Sequence, residues 1–182
     1  MGKIGQTIEN PLTGERVTFL QTTQSTGGVL LEIECAIPRP GFGPPLHVHL
    51  KQKESFRVVA GELGVVVAGD QRVLGVGETA VAPPRVPHRF WNAGQEEVRF
   101  VAAIEPPGHF ETHFETMFGL AHDGKGNRSG TPTNIWQLGV SLEVADTYLA
   151  AIPIVAQQLV FRVLANIGHR LGYQARYSKY SD

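Results

Sequence analysis

The chain has 182 residues, with 16 Lys and Arg against 17 Asp and Glu and a formal net charge of −1 at pH 7. That length suits one domain with an appendage and can bury a real core. A charge so near zero gives no sign of a nucleic-acid partner or of a protein held to acidic membranes by charge.

The chain begins Met1-Gly2-Lys3-Ile4-Gly5-Gln6, with no apolar run after the lysine, so no secretory signal is expected there. The single cysteine, Cys35, excludes an internal disulfide and fits a cytoplasmic protein. Abundant Gly and Pro (21 and 12 residues) favour short elements joined by tight turns and an all-β core. Arg16 to Gln21 alternates, with Val17 and Phe19 on one face, and Val29 to Ile37 places Leu31, Ile33, Cys35 and Ile37 on one face. After the turn-rich stretch Pro38 to Pro45, strands are expected at Glu54 to Ala60 and Leu63 to Ala68, joined at Gly61-Glu62. Gly69-Asp70 marks the next turn, and Thr79 to Ala82, His88 to Asn92 and Val98 to Ile104 complete the set. So many short strands at near-regular spacing predict a barrel or sandwich of hairpins.

Past Pro106-Pro107-Gly108 the texture becomes helical. Helices are expected over Phe110 to Leu120, Ile135 to Ala150 and Ile154 to Gly172, with a Gly-rich polar loop from His122 to Asn134 and a break at Pro153. The apolar stretch Tyr148 to Leu171 contains Pro153, Gln157, Gln158, Arg162, Asn166, His169 and Arg170, which argues against a membrane span. Its polar stripe, Gln158, Arg162, Asn166 and Arg170, opposes an apolar stripe of Val155 or Ala156, Leu159, Val163, Ile167 and Leu171. A helix with that pattern is expected to bury the apolar side. The chain therefore divides into a barrel over 1–108 and a helical extension over 109–182 that packs on the barrel or on a second copy in a homodimer.

The chemistry concentrates in a few residues. His47 and His49 stand two apart, so on a strand both imidazoles project from one face. Glu54 follows after Lys51-Gln52-Lys53, a run suited to an exposed turn, and opens the next strand. His88 begins another strand after Pro83-Pro84-Arg85-Val86-Pro87. Three imidazoles and a carboxylate form a borderline N/O donor set for one divalent transition metal (Fe, Mn, Ni, Zn, Cu or Co), unlike the all-oxygen sets of Ca and Mg. Four protein ligands leave positions open on an octahedral ion, the mark of a catalytic site. His109, His113, His122 and His169 lack such surroundings and read as surface or satisfied histidines. Asp123 to Asn127 is rejected as a calcium loop because Lys125 stands where an oxygen ligand is needed.

The spacings carry a resemblance. Gly41, five residues, His47-Val48-His49, four residues, Glu54, six residues and Gly61 match the first motif of the cupin superfamily; Gly77, five residues, Pro83, then His88, three residues and Asn92 match the second. Arg85 stands where the second motif usually has Gly. The resemblance runs from about Phe19 to Pro106 and implies an all-β, cupin-type double-stranded β-helix (jelly-roll) barrel with a C-terminal α-helical extension. It also implies a single metal on His47, His49, Glu54 and His88, and often a dimer. Strand parity suggests a mostly apolar pocket lined by Phe42, Phe56, Val58, Val65, Val67, Phe90 and Asn92, with Glu54 also placed to take a proton. The expected partner is a small apolar or aromatic molecule, with no nucleic acid. The expected function is a quercetinase-like mononuclear oxygenase; the same site would also serve a metal-dependent isomerase, lyase or decarboxylase, or a non-catalytic ligand-binding module.

Overall fold

Alternating apolar residues bury one face of each strand against a facing sheet. The computed structural model, which describes residues 2–41 and 43–181, shows this throughout the first two thirds of the chain. Its strands are β1 (Thr7–Glu9), β2 (Arg16–Gln21), β3 (Leu31–Ile37), β4 (His47–His49), β5 (Lys53–Ala60), β6 (Leu63–Val67), β7 (Asp70–Leu74), β8 (Thr79–Ala82), β9 (His88–Asn92), β10 (Val98–Glu105) and β11 (Thr147–Leu149). They form a six-stranded sheet, ordered β1-β2-β3-β10-β5-β8, and a five-stranded sheet, ordered β11-β4-β9-β6-β7. The core lies between the two sheets. Phe19, Leu31, Ile33, Val58, Phe100 and Ile104 come from the first, and Leu63, Val65 and Leu74 from the second. This is the jelly-roll barrel that the motifs implied. Cys35 is half-buried against this core, and burial pushes its thiol well up, so it stays protonated.

Three helices follow: α1 (Phe110–His122), α2 (Ile135–Ala145) and α3 (Ile154–Arg170). Helix α1 contributes Phe110 and Phe118 to the barrel core, with Phe114 and Met117 packed beside them. Helix α2 is capped by Asn134, whose side chain accepts from the backbone N–H groups of Trp136 and Gln137. No helix among the described residues is long and apolar enough to cross a membrane.

Two expectations for this region are corrected. The helix expected to reach Ala150 stops at Ala145: Asp146 turns left-handed (φ 46°) and the next three residues form β11, antiparallel to β4. The apolar stripe of α3 also faces outward in the single chain. Val155, Leu159 and Val163 are 77%, 64% and 49% exposed, whereas Gln157, Ala165 and Gly168 are buried. Small residues decide this. A Cβ on Gly139 of α2 would lie 2.3 Å from the Leu164 Cβ, and one on Gly168 would lie 2.8 Å from the Trp136 carbonyl oxygen. The two helices therefore meet where their backbones approach closest, and Val155, Leu159 and Val163 are left on the far face.

Candidate metal centre

Two strands of one sheet and one strand of the other bring the expected ligands together. His47 and His49 project from β4; His88 lies directly opposite His47 on β9; Glu54 faces them from β5. One ligand atom from each of the four residues lies within 4.8 Å of all the others. All four residues are at most 5% exposed.

The hydrogen bonds orient the rings. Nδ1 of His47 lies 2.8 Å from the Pro45 carbonyl oxygen, and Nδ1 of His88 lies 2.9 Å from that of Val86. Nδ1 of His49 lies 3.1 Å from the carbonyl oxygen of Asp146. A carbonyl only accepts, so each Nδ1 carries a proton and each Nε2 turns inward; on the neutral rings of His47 and His49 that nitrogen presents a bare lone pair. The consequence is sharpest between His47 and His49, whose Nε2 atoms lie 3.1 Å apart. Two bare lone pairs that close repel each other, and a cation between them removes the conflict. Nε2 of His88 lies 3.2 Å, and Nε2 of His49 3.5 Å, from the two oxygens of Glu54. The donor set therefore fits a divalent transition metal; its identity is not determined by ligand type alone.

Electrostatics agree with this geometry. Burial, reinforced by the neighbouring imidazoles, pushes His47 down to about 4, and burial lowers His49 as well. Both rings are thus neutral at neutral pH, as ligands must be. Burial alone would lower His88, but the hydrogen bond that its ring donates to Glu54, and the charge of that carboxylate, outweigh it, and the pKa is raised. For Glu54, burial works upward, yet the hydrogen bond to His88 and the three imidazoles bring its pKa down. In the metal-free protein, below the raised pKa of His88, His88 and Glu54 form an ion pair whose proton a metal ion would replace.

The residues expected to line a pocket take different places. Phe56 has its ring centre 6.5 Å from that of His88, and Phe90 packs on Phe56 at 5.4 Å. Val58 and Val65 belong to the buried core, and Val67 packs beside it. Asn92 is spent on the backbone. Its amide nitrogen donates to the carbonyl oxygens of Ile37 and Glu96, and its oxygen accepts from the Gly94 N–H, so it closes the loop after β9. Phe42 lies outside the described residues. Two contributors were not expected. The Phe110 ring of α1 sits edge-on to His49 at 4.9 Å, and Asp146 bonds the loop beside it. His113 was read as an ordinary histidine; it hydrogen-bonds the backbone of Ser141, while its Nδ1 is buried with no partner among the described residues.

Arg85, the departure from the second motif, has φ +67°, the left-handed conformation that suits glycine. Its backbone N–H donates to the His49 carbonyl oxygen at 2.7 Å, a bond that glycine retains. Arg85→Gly is therefore expected to change stability by no more than about 1 kcal/mol, in the stabilising direction, with metal uptake unchanged. Arg85→Val, β-branched, is expected to cost about 2 kcal/mol. Urea denaturation of both variants checks this, and a destabilised glycine variant contradicts it.

The barrel has relatives among known proteins. The family model described as "Cupin domain" matches residues 36–104. "Probable oxidoreductase virH" of Hypocrea virens is 31% identical over 150 residues, covering 76% of this chain and 68% of that protein. "Oxidoreductase iacF" of Pestalotiopsis fici is 39% identical over 67 residues, 35% of this chain and 33% of that protein. "Polyketide synthase CurC" of Streptomyces cyaneus is 32% identical over 97 residues, 53% of this chain and 63% of that protein. The matched segments thus span between a third and about two thirds of these relatives.

Proposed function

This chain belongs to the cupin superfamily, and we propose that it is a mononuclear metal-dependent oxygenase acting on a small apolar or aromatic compound. The observation that carries the proposal is the convergence of three inward-facing Nε2 atoms and one carboxylate in a buried site. When bound there, a divalent transition metal supplies a Lewis-acid centre with positions open to substrate and to oxygen chemistry. The chain supplies the rest. The rings of Phe110 and Phe56, beside His49 and His88, provide an apolar wall. Helix α1 packs on the barrel core and sets Phe110 against His49. The Glu54 carboxylate, buried and held ionised, is the group placed to accept a proton from an acidic substrate hydroxyl. The oxidoreductase names of two relatives support the reaction class, and the name of the third is that of a protein of polyketide synthesis.

The test is oxygen consumption by metal-loaded protein offered phenolic and enediol compounds, with an anaerobic control. Oxygen-dependent product supports the oxygenase. Turnover without oxygen makes the protein an isomerase, lyase or decarboxylase on the same site. Stabilisation by ligand without product makes it a binding module.

We also propose that two copies meet through the outward stripe of α3, because Val155, Leu159, Val160 and Val163 form one exposed apolar face. Sedimentation should show a dimer that Leu159→Glu with Val163→Glu converts to monomer. A native protein that is monomeric at all concentrations rejects this contact.

A further inference from the structure

Each imidazole of the metal centre needs an acceptor at Nδ1, and the chain provides the three acceptors from unequal distances. For His47 and His88 the acceptor is the carbonyl two residues earlier, Pro45 and Val86. These contacts are local to the barrel motifs. For His49 it is the carbonyl of Asp146, 97 residues further along the chain. The Thr147 hydroxyl stands 3.3 Å from the same Nδ1.

Asp146 makes a second set of contacts at this point. One carboxylate oxygen accepts from the backbone N–H groups of Leu50 and Lys51, at 3.1 and 3.0 Å. Those two residues begin the turn that carries the chain from the ligand His49 to the ligand Glu54. The left-handed conformation of Asp146 lets its carbonyl and its carboxylate address β4 together. The corner is tied down on both sides. Strand β11 pairs with β4 from Thr147 opposite His49 to Leu149 opposite His47. Gln157 of α3 closes the other edge of β11: its oxygen accepts from the Leu149 N–H, and its nitrogen donates to the carbonyls of Leu149 and Ile152.

We propose that Asp146 is the positioning residue of the metal centre, so that the helical extension, and not the barrel alone, completes the ligand geometry. The inference rests on the metal-binding reading above. Asp146 touches no metal or substrate. It sets the tautomer and the angle of His49, and it fixes the turn that aims Glu54. The physical reason is that a ring free to rotate, or free to exchange its proton between nitrogens, must be ordered again each time the ion binds.

The test uses the full-length chain, freed of metal with chelator and titrated with Co2+. Affinity is read by competition with a chromophoric chelator and geometry by the visible Co2+ bands. Asp146→Gly keeps the left-handed backbone and removes the carboxylate; it is expected to weaken Co2+ binding by about 10- to 100-fold and to shift the bands. Asp146→Asn keeps an oxygen acceptor and tolerates the same backbone; it is expected to restore both to near native values. A measurement on the native metal-free protein needs no variant: nitrogen-15 NMR should find His49 protonated at Nδ1. Native binding with an undiminished Asp146→Gly variant, or a His49 protonated at Nε2, overturns the inference alone. A native chain that takes up no Co2+ overturns the metal reading together with it.

Discussion

Replacing His47 and His49 together by alanine is expected to leave a chain that retains no divalent transition metal, against about one equivalent in the native protein. The variant removes two of the four ligands and the closest pair of inward lone pairs. Elemental analysis reads the result. Calorimetry offers a second reading, because an ion that binds only the folded state at 100 times its dissociation constant adds about 2.7 kcal/mol of stability. The native protein should gain that stabilisation and the double variant should not. Absence of metal from native protein, even after reconstitution with each candidate ion, would reject the site.

The same site should bind metal in a pH-dependent way. His88 is raised above 6.5, so in the metal-free fold its ion pair with Glu54 is fully present below that pH and is lost as pH rises through the folded value. Glu54 is lowered from 4.5, so its contribution is present above that pH and lost as pH falls through its folded value. Metal must displace the His88 proton. Apparent affinity should therefore fall about tenfold per pH unit below the folded pKa of His88, with one proton released per ion bound. Near pH 4 protonation of His47 should steepen the fall.

Phe100→Ala is expected to cost about 3–5 kcal/mol of unfolding free energy. Phe100 lies on β10 between β3 and β5, is fully buried, and packs its ring against Phe90 and Phe56 at 5.3 and 6.1 Å. No smaller side chain fills that volume, and a cavity would open beneath the Phe56–Phe90 pair beside His88. Against a typical domain stability of about 5–15 kcal/mol, the loss is a large fraction. Val73→Ala, at a 54% exposed position on β7, is the control and should change stability by no more than about 0.5 kcal/mol. Equal midpoints for the two variants in chemical denaturation would show that Phe100 does not carry the core.

Much of the site was legible because strand geometry is local. The two-residue step from His47 to His49 places both rings on one face, and the turn residues after His49 allow Glu54 to point back at them. Alternation in Arg16 to Gln21 and in Leu31 to Ile37 likewise predicted which residues meet in the core, since the period of a strand does not depend on its partner. The outward face of α3 was not legible. Its 3.6-residue pattern marks an apolar stripe, but the side turned to α2 is chosen by how closely Gly139 and Gly168 let two backbones approach. The end of α2 was hidden for the same reason. Ile135 to Ala150 reads as one helix until Asp146 finds two free N–H groups at Leu50 and Lys51. The sequence by itself therefore determined a barrel or sandwich of strands through periodicity, and the jelly-roll form and the four candidate ligands through the resemblance of its spacings to the cupin motifs. Only the tertiary structure decided what holds His49, because its acceptor lies 97 residues away and no local pattern records a contact made at that distance.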